Sequence, residues 1–331
     1  MSEVPLLSVR DLRAVIDTRA GATTILNGVS FDVWPEEAVG VVGESGSGKT
    51  MTALSVLGLL PSQARITSGR VLFDGRDLVT ATEEARRAVR GSQIAMIFQD
   101  PMTSLNPLQR VGEQIAEGML VHGVEEHEAD ERALEVLAQV GIPDPQRAAR
   151  AYPHEFSGGM RQRVMIASVI AMSPKLLIAD EATSALDVTI QQQILALVRR
   201  LQHENHMAVL WITHDMGVVA RLVDRVLVMY AGHLVEQGAV RPIFSGPEHP
   251  YTAALLDSIP SLEDRSRAPL AQIAGAPPDP AEAPPGCPFE PRCPQSIERC
   301  ITEMPGMTPR KHGGSAACWV PPEEWSTACS A

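Results

Sequence analysis

The 331-residue sequence predicts an α/β fold around a buried parallel sheet, with an antiparallel β region before it, a helical insertion within it and an arm rich in proline and cysteine after it. Three observations carry that expectation. Five short apolar runs, at 37–43, 94–98, 175–179, 207–212 and 225–230, alternate with longer helix-forming stretches, the pattern of parallel strands covered on both faces. The first run leads into Gly43-Glu44-Ser45-Gly46-Ser47-Gly48-Lys49-Thr50, a match to G-x-x-x-x-G-K-[ST]. All five cysteines and 14 of the 26 prolines lie from Pro260 onward, so the end of the chain differs in kind from the rest.

Residues 6–16 and 22–34 are rich in Val, Ile, Thr and Phe around a turn at Gly21, and Asp74-Gly75 within 66–78 is a strong hairpin signal. An antiparallel β region follows from these. The glycine-rich loop stands between the apolar run 37–43 and a helical run at 51–59, the context a phosphate-binding loop requires. Its glycines let successive N–H groups curl around phosphate oxygens, Lys49 supplies a cation to the β- and γ-phosphates, and Thr50 offers a hydroxyl to Mg²⁺. A glycine-rich turn matches this pattern by chance in roughly one chain in a hundred of this length, and the strand-loop-helix setting makes it rarer.

Residues 108–140 are helix formers with apolar Leu134, Val136, Leu137 and Val140, stopped by Gly141, Pro143 and Pro145, which reads as a small helical insertion. Ser157 can cap the helix that follows it, while Gly158 and Gly159 leave the first amides open to an anion. A capped helix with a flexible approach is the plainer alternative. The run 176–181 ends in Asp180 and Glu181, which as strand neighbours point to opposite faces and so take different tasks. Asp180 would hold Mg²⁺ directly or through water, and Glu181 would polarise an attacking water as general base. The segment 275–286, GAPPDPAEAPPG, cannot be an interior helix or central strand and reads as a linker or wrapping arm.

Lys plus Arg is 28 and Asp plus Glu is 40, a net charge of −12, with a mean hydropathy of −0.01. Such a balance lacks the electrostatic footprint of a nucleic-acid binder. No stretch approaches 18 consecutive apolar residues, and the start reaches charged residues before an apolar segment forms, so neither a membrane span nor a secretory signal is expected. The cysteines fall as Cys287-x5-Cys293-x6-Cys300-x17-Cys318, with Cys329 near the end. They lack zinc-ribbon C-x2-C knuckles, and a reducing compartment disfavours disulfides. Four thiolates could still converge on Zn²⁺ or an Fe–S cluster, the alternative being scattered unliganded cysteines.

The phosphate loop, FSGGM at 156–160, LLIADE at 176–181, Ser184-Ala185-Leu186-Asp187 and Thr213-His214-Asp215, in this order, resemble the ATP-binding subunits of ABC transporters. IFQDPMTSLNP, ADEATSALDVTIQQQIL, HPYTAALL and GCPFEPRC are similar to the dipeptide and oligopeptide (peptide/nickel) importer ATPases, and FSGGM to their D-type chain. The resemblance implies an ABC-type P-loop NTPase with a RecA-like core, an ATPase domain over 5–258, a helical subdomain over about 105–172 and an importer-type extension over 259–331. It implies that Gly43–Thr50 and Met51 bind ATP, that Gln99 touches Mg²⁺ or the attacking water, and that Ser157, Gly158 and Gly159 bind the γ-phosphate of ATP held by the opposite subunit. Asp187 would cross the dimer interface and His214 would contact the γ-phosphate. Ile16 aligns where relatives stack an aromatic ring on adenine; it offers apolar contact without π stacking.

In some relatives the four matching cysteines hold a four-iron four-sulfur cluster, which the resemblance implies for Cys287, Cys293, Cys300 and Cys318. The implied partners are a homologous F-type ATPase subunit, two transmembrane permease subunits and an extracytoplasmic peptide-binding protein, with the chain peripheral to the cytoplasmic face of the plasma membrane and no nucleic acid bound. An importer of nickel or another small solute, a soluble non-transport ABC ATPase, and a metal-binding module with a vestigial ATPase are the competing expectations. Intact Lys49, Asp180, Glu181 and His214 weigh against the last.

Overall fold

The computed structural model describes residues 4–19, 21–98, 105–182, 187–259, 272–280, 284–311 and 313–325. Along the chain come β1 (Leu7–Thr18), β2 (Gly21–Val33), β3 (Ala38–Val42), α1 (Lys49–Leu57), β4 (Ala64–Phe73), β5 (Arg76–Asp77), α2 (Glu83–Val89) and β6 (Ile94–Ile97). Then follow α3 (Val111–Val121), α4 (Glu126–Gln139), α5 (Pro145–Arg150), α6 (Gly158–Ile170), β7 (Leu176–Asp180), α7 (Val188–Glu204), β8 (Ala208–Ile212), α8 (Met216–Leu222), β9 (Arg225–Tyr230) and β10 (His233–Ala239). The chain closes with α9 (Val240–Ser245), α10 (Pro250–Asp257), α11 (Glu298–Thr302), β11 (Thr308–Pro309) and β12 (Ser315–Ala316).

These elements form two compact units. The first holds residues 80–211 with short pieces before residue 6 and at 33–37. Its strands β8, β7 and β6 lie in that order, β6 and β7 paired in parallel, and β7 and β8 are buried at every residue. Complete burial is why those strands read as unbroken apolar runs. The expected insertion is present as α3 and α4, the latter burying Ala129, Ala133, Val136 and Leu137 on one face and ending at the Gly141 turn.

The second unit holds residues 6–32, 38–79 and those from 212 onward. An antiparallel sheet in the order β2-β1-β4-β5 bears out the N-terminal expectation, with the Asp74-Gly75 turn between β4 and β5. A register shift after Arg10 bends β1, and Gly69 lies across from it. A Cβ at Gly69 would meet the Asp11 carbonyl oxygen at 2.4 Å, so only glycine fits at that bend. The unit's other strands run β11-β12-β10-β9-β3, with β3 and β9 parallel and the remainder antiparallel. The short β12 belongs to the C-terminal arm, which thus adds its own strand beside β10 through Glu236 opposite Ala316 and Gln237 opposite Ser315. The described part of 275–286 contains no α-helix or strand. No helix among the described residues is long and apolar enough to cross a membrane.

Candidate nucleotide site

In the second unit β3 runs straight into the phosphate loop. Gly43 adopts φ 153°, and a Cβ there would meet the Met229 carbonyl oxygen at 2.1 Å, so the loop lies hard against the end of β9. Gly46 and Gly48 also have positive φ, 79° and 101°, curling the chain between β3 and α1. The Ser47 N–H donates to the Glu44 carbonyl at 3.2 Å and closes the turn. Lys49 is buried, and its Nζ donates to the carbonyls of Gly43 at 2.8 Å and Glu44 at 2.9 Å. The lysine therefore sits inside the curl. Ser45, Gly46 and Thr50 are exposed on it, and Met51 is half-buried. The helix N-cap is Gly48, which has no side chain to occupy the first amides of α1. A curled loop with an enclosed ammonium and open helix amides is a fit for a polyphosphate.

Glu44 is held from both sides. Its N–H donates to the Tyr251 hydroxyl at 2.8 Å, and its carboxylate accepts from Arg292 at 2.7 and 3.0 Å. Burial raises the Tyr230 and Tyr251 hydroxyls above the ordinary phenol range, so both stay protonated donors and acceptors at neutral pH. His214 stands exposed on the turn after β8, where the Thr213 N–H donates to the Val41 carbonyl at 3.2 Å. Capping of α8 falls to Asp215, which accepts from the N–H groups of Gly217 and Val218 at 2.8 and 3.2 Å. Ile16 lies half-buried on β1.

In the first unit Ser157 caps α6 as expected, accepting from the Met160 N–H at 3.4 Å. Gly158 faces open space, whereas a Cβ at Gly159 would meet Cγ2 of Ile190 at 2.9 Å. That close approach ties the start of α6 to the start of α7. Fully buried Gln162 donates from Nε2 to the Ala182 carbonyl at 2.6 Å, joining α6 to the segment just after β7. Asp180 closes β7 and is 3% exposed, while Glu181 turns off the strand with φ 45°. Asp187 caps α7, accepting from the Ile190 N–H at 3.0 Å. Gln99 and residues 183–186, and with them most of the Ser184–Asp187 motif, lie outside the described residues, as does Cys329.

The cysteine expectation is corrected. Among the described residues no group of three or more His, Cys, Asp or Glu is arranged to hold a metal ion, so neither an iron–sulfur cluster nor zinc belongs on Cys287, Cys293, Cys300 and Cys318. In the structure the sulfurs are buried neutral thiols: burial pushes Cys287 up to about 11 and Cys293 up to about 12, and it raises Cys318 as well. The Cys318 thiol donates instead to the Val320 carbonyl at 3.2 Å. The arm is ordered by other means: strand β12, the Arg292 contacts, and Phe289, which is 1% exposed among Tyr230, Tyr251 and His249.

A strand-loop-helix phosphate cradle, a serine-capped glycine pair and a strand ending in two acids define an ATP-binding cassette. Residues 26–184 match the ABC transporter family, and 235–300 match the oligopeptide/dipeptide transporter C-terminal region. The chain is 52% identical over 316 residues to a probable peptide ABC transporter ATP-binding protein of Sinorhizobium fredii, covering 95% of this chain and 94% of that one. It is 47% identical over 317 residues to the dipeptide transport ATP-binding protein DppD of Bacillus subtilis, with the same coverage of 95% and 94%. Its fold matches the dimeric post-hydrolysis ATP-binding cassette MJ0796 bound to ADP and Pi, with a TM-score of 0.63 at 25% identity over 71% of this chain and 99% of that one. The chain belongs to the ATP-binding subunits of the oligopeptide and dipeptide ABC importers, the subunits that bind and hydrolyse ATP within a transporter complex.

Proposed function

We propose that this subunit hydrolyses ATP to energise peptide import, with the phosphates seated in Gly43–Thr50 and Met51, and the adenine against Ile16. The observation that carries this is the enclosed Lys49 beneath a curled loop at the uncapped start of α1. Thr50 and Asp180, with Gln99, would hold Mg²⁺, whose role when bound is to neutralise charge on the β- and γ-phosphates. Glu181 accepts the proton of the attacking water as general base, and His214 steadies the γ-phosphate. Ser157, Gly158 and Gly159 serve ATP on an opposing subunit, and Asp187 reaches across the same interface. Support for a paired arrangement comes from MJ0796, a dimeric cassette.

The partners in this reading are a homologous F-type ATPase, two permease subunits and an extracytoplasmic peptide-binding protein, with the subunit peripheral at the cytoplasmic face of the plasma membrane. The ATPase domain is assigned to 5–258 and the importer extension to 259–331. Peptide cargo is favoured over nickel because the similar chains are named for peptide, dipeptide and oligopeptide transport. Lys49→Ala tests the site. Losing hydrogen bonds from a charged donor costs about 1.5–3 kcal/mol, or roughly 10- to 150-fold in nucleotide affinity. An affinity unchanged in the variant, measured by titration of a fluorescent ADP, overturns the assignment.

A further inference from the structure

Arg292 lies in the GCPFEPRC stretch of the arm, 248 residues from Glu44. Its Nη1 donates to Glu44 Oε2 at 2.7 Å and to the Tyr230 hydroxyl at 3.0 Å. Its Nη2 donates to Glu44 Oε1 at 3.0 Å and to the Ile273 carbonyl at 3.2 Å, and its Nε to the Ala274 carbonyl at 2.9 Å. A guanidinium has five N–H donors, and each has an acceptor here. The side chain is only 5% exposed, so this is a dry, fully used fork that lysine cannot reproduce. It joins three segments: the arm at 273–274, the end of β9 and the phosphate loop.

The contact bears on nucleotide because of what Glu44 does next. Its carbonyl accepts both the Lys49 ammonium and the Ser47 N–H that closes the loop. Wherever Glu44 is held, the lysine and the turn are held with it. Pro277, Pro278 and Pro280 of the arm line a cavity with Ser45 and Gly46 at the exposed side of the same loop. We infer that Arg292 is a positioning residue for the phosphate loop, through which the C-terminal arm sets the subunit's affinity for nucleotide. This rests on the reading of Gly43–Thr50 as the nucleotide site.

The test is a double-mutant cycle on the full-length chain, reading the Kd for a fluorescent ADP and the melting midpoint. Coupled neighbours typically differ from additivity by about 0.5–3 kcal/mol, so Arg292→Gln should raise Kd roughly tenfold. Glu44→Gln should raise it similarly, and the double variant no further than the worse single one. Arg292→Lys, which keeps the charge and loses the fork, should recover only part of the affinity. A Kd for Arg292→Gln within twofold of wild type overturns the proposal, as do losses that multiply in the double variant, since a side chain that merely pins the arm would not couple to Glu44. If Arg292→Gln does not fold, Glu44→Gln and Tyr230→Phe carry the test, and wild-type affinity in both overturns it. Lys49→Ala in the same titration separates the two readings: weakened binding there with unchanged Arg292→Gln sinks only the arginine, whereas unchanged Lys49→Ala sinks the nucleotide site itself.

Discussion

Phe289→Ala should release the C-terminal arm while the rest of the chain stays folded. The ring is 1% exposed and meets Tyr230 edge-on at 5.3 Å, Tyr251 at 5.3 Å and His249 at 6.0 Å between centroids. A buried aromatic covers about 150–250 Å², and each well-placed ring pair adds about 0.5–1.5 kcal/mol beyond its area. Truncation to alanine in such a setting costs about 3–5 kcal/mol. The other buried apolar residues described in the arm, Cys287, Cys300, Ala316, Ala317 and Val320, are smaller, β11 and β12 are two residues each, and Arg292 contributes polar bonds. A loss of that size exceeds what a short, proline-rich segment can absorb, so it opens locally before the rest unfolds. Hydrogen exchange across residues 284–302 reads this directly. Amides such as Cys287 N–H, bonded to the Cys300 carbonyl at 2.8 Å, should exchange at least about a hundredfold faster, while β7 and β8 keep wild-type protection. Unchanged exchange in 284–302 refutes the reasoning, because it would mean that the ring does not anchor the arm.

Glu181→Gln should keep nucleotide affinity and cut steady-state hydrolysis by about 10²–10⁴-fold in the assembled complex, the usual contribution of a general base; wild-type turnover would end that assignment. A second expectation concerns pH. Burial pushes the Glu236 carboxyl up to about 7, although it accepts the N–H groups of Glu248 and His249, and pushes His249, whose Nδ1 accepts the Tyr251 N–H, down to about 3. As pH falls from about 7 to 4.5, the folded state takes a proton on Glu236 that the unfolded chain does not, which adds stability. As it falls from about 6.5 to 3, the unfolded chain takes a proton on His249 that the folded state refuses, which removes stability. The two oppose each other between 6.5 and 4.5, so Glu236→Gln should lose stability relative to wild type as that window is crossed, by up to about 1.4 kcal/mol per pH unit. Urea midpoints measured across pH 7 to 4 check it, and parallel curves would contradict it.

The parts of the site that read cleanly in the sequence are those whose chemistry is local. The phosphate loop needs glycines within a few residues of one another, and Ser157 caps the helix it precedes, so spacing alone displays both. Buried strands such as β7 and β8 display themselves as apolar runs for the same reason. The grip on Glu44 was hidden because its partners are 207 and 248 residues away. The local signals for it are Tyr251 within HPYTAALL and Arg292 within GCPFEPRC, and neither stretch points to Glu44 by its spacing. The metal expectation failed for a related reason: spacing tells where thiols fall along the chain but not how the fold arranges them in space.

The Arg292 fork also sets an order of events during synthesis. The phosphate loop leaves the ribosome early, yet the group that grips Glu44 is made 248 residues later. At about 5–20 residues per second that is a delay of roughly 12–50 s. Strand β12, which adds to the sheet beside β10, comes later still, at Ser315–Ala316. The second unit therefore closes only when nearly the whole polypeptide is out, and a nascent or prematurely terminated chain carries a loop without its clamp. Completion of the chain is in this sense written into the loop at Gly43–Thr50, whose Glu44 is gripped by a residue made near the end of synthesis.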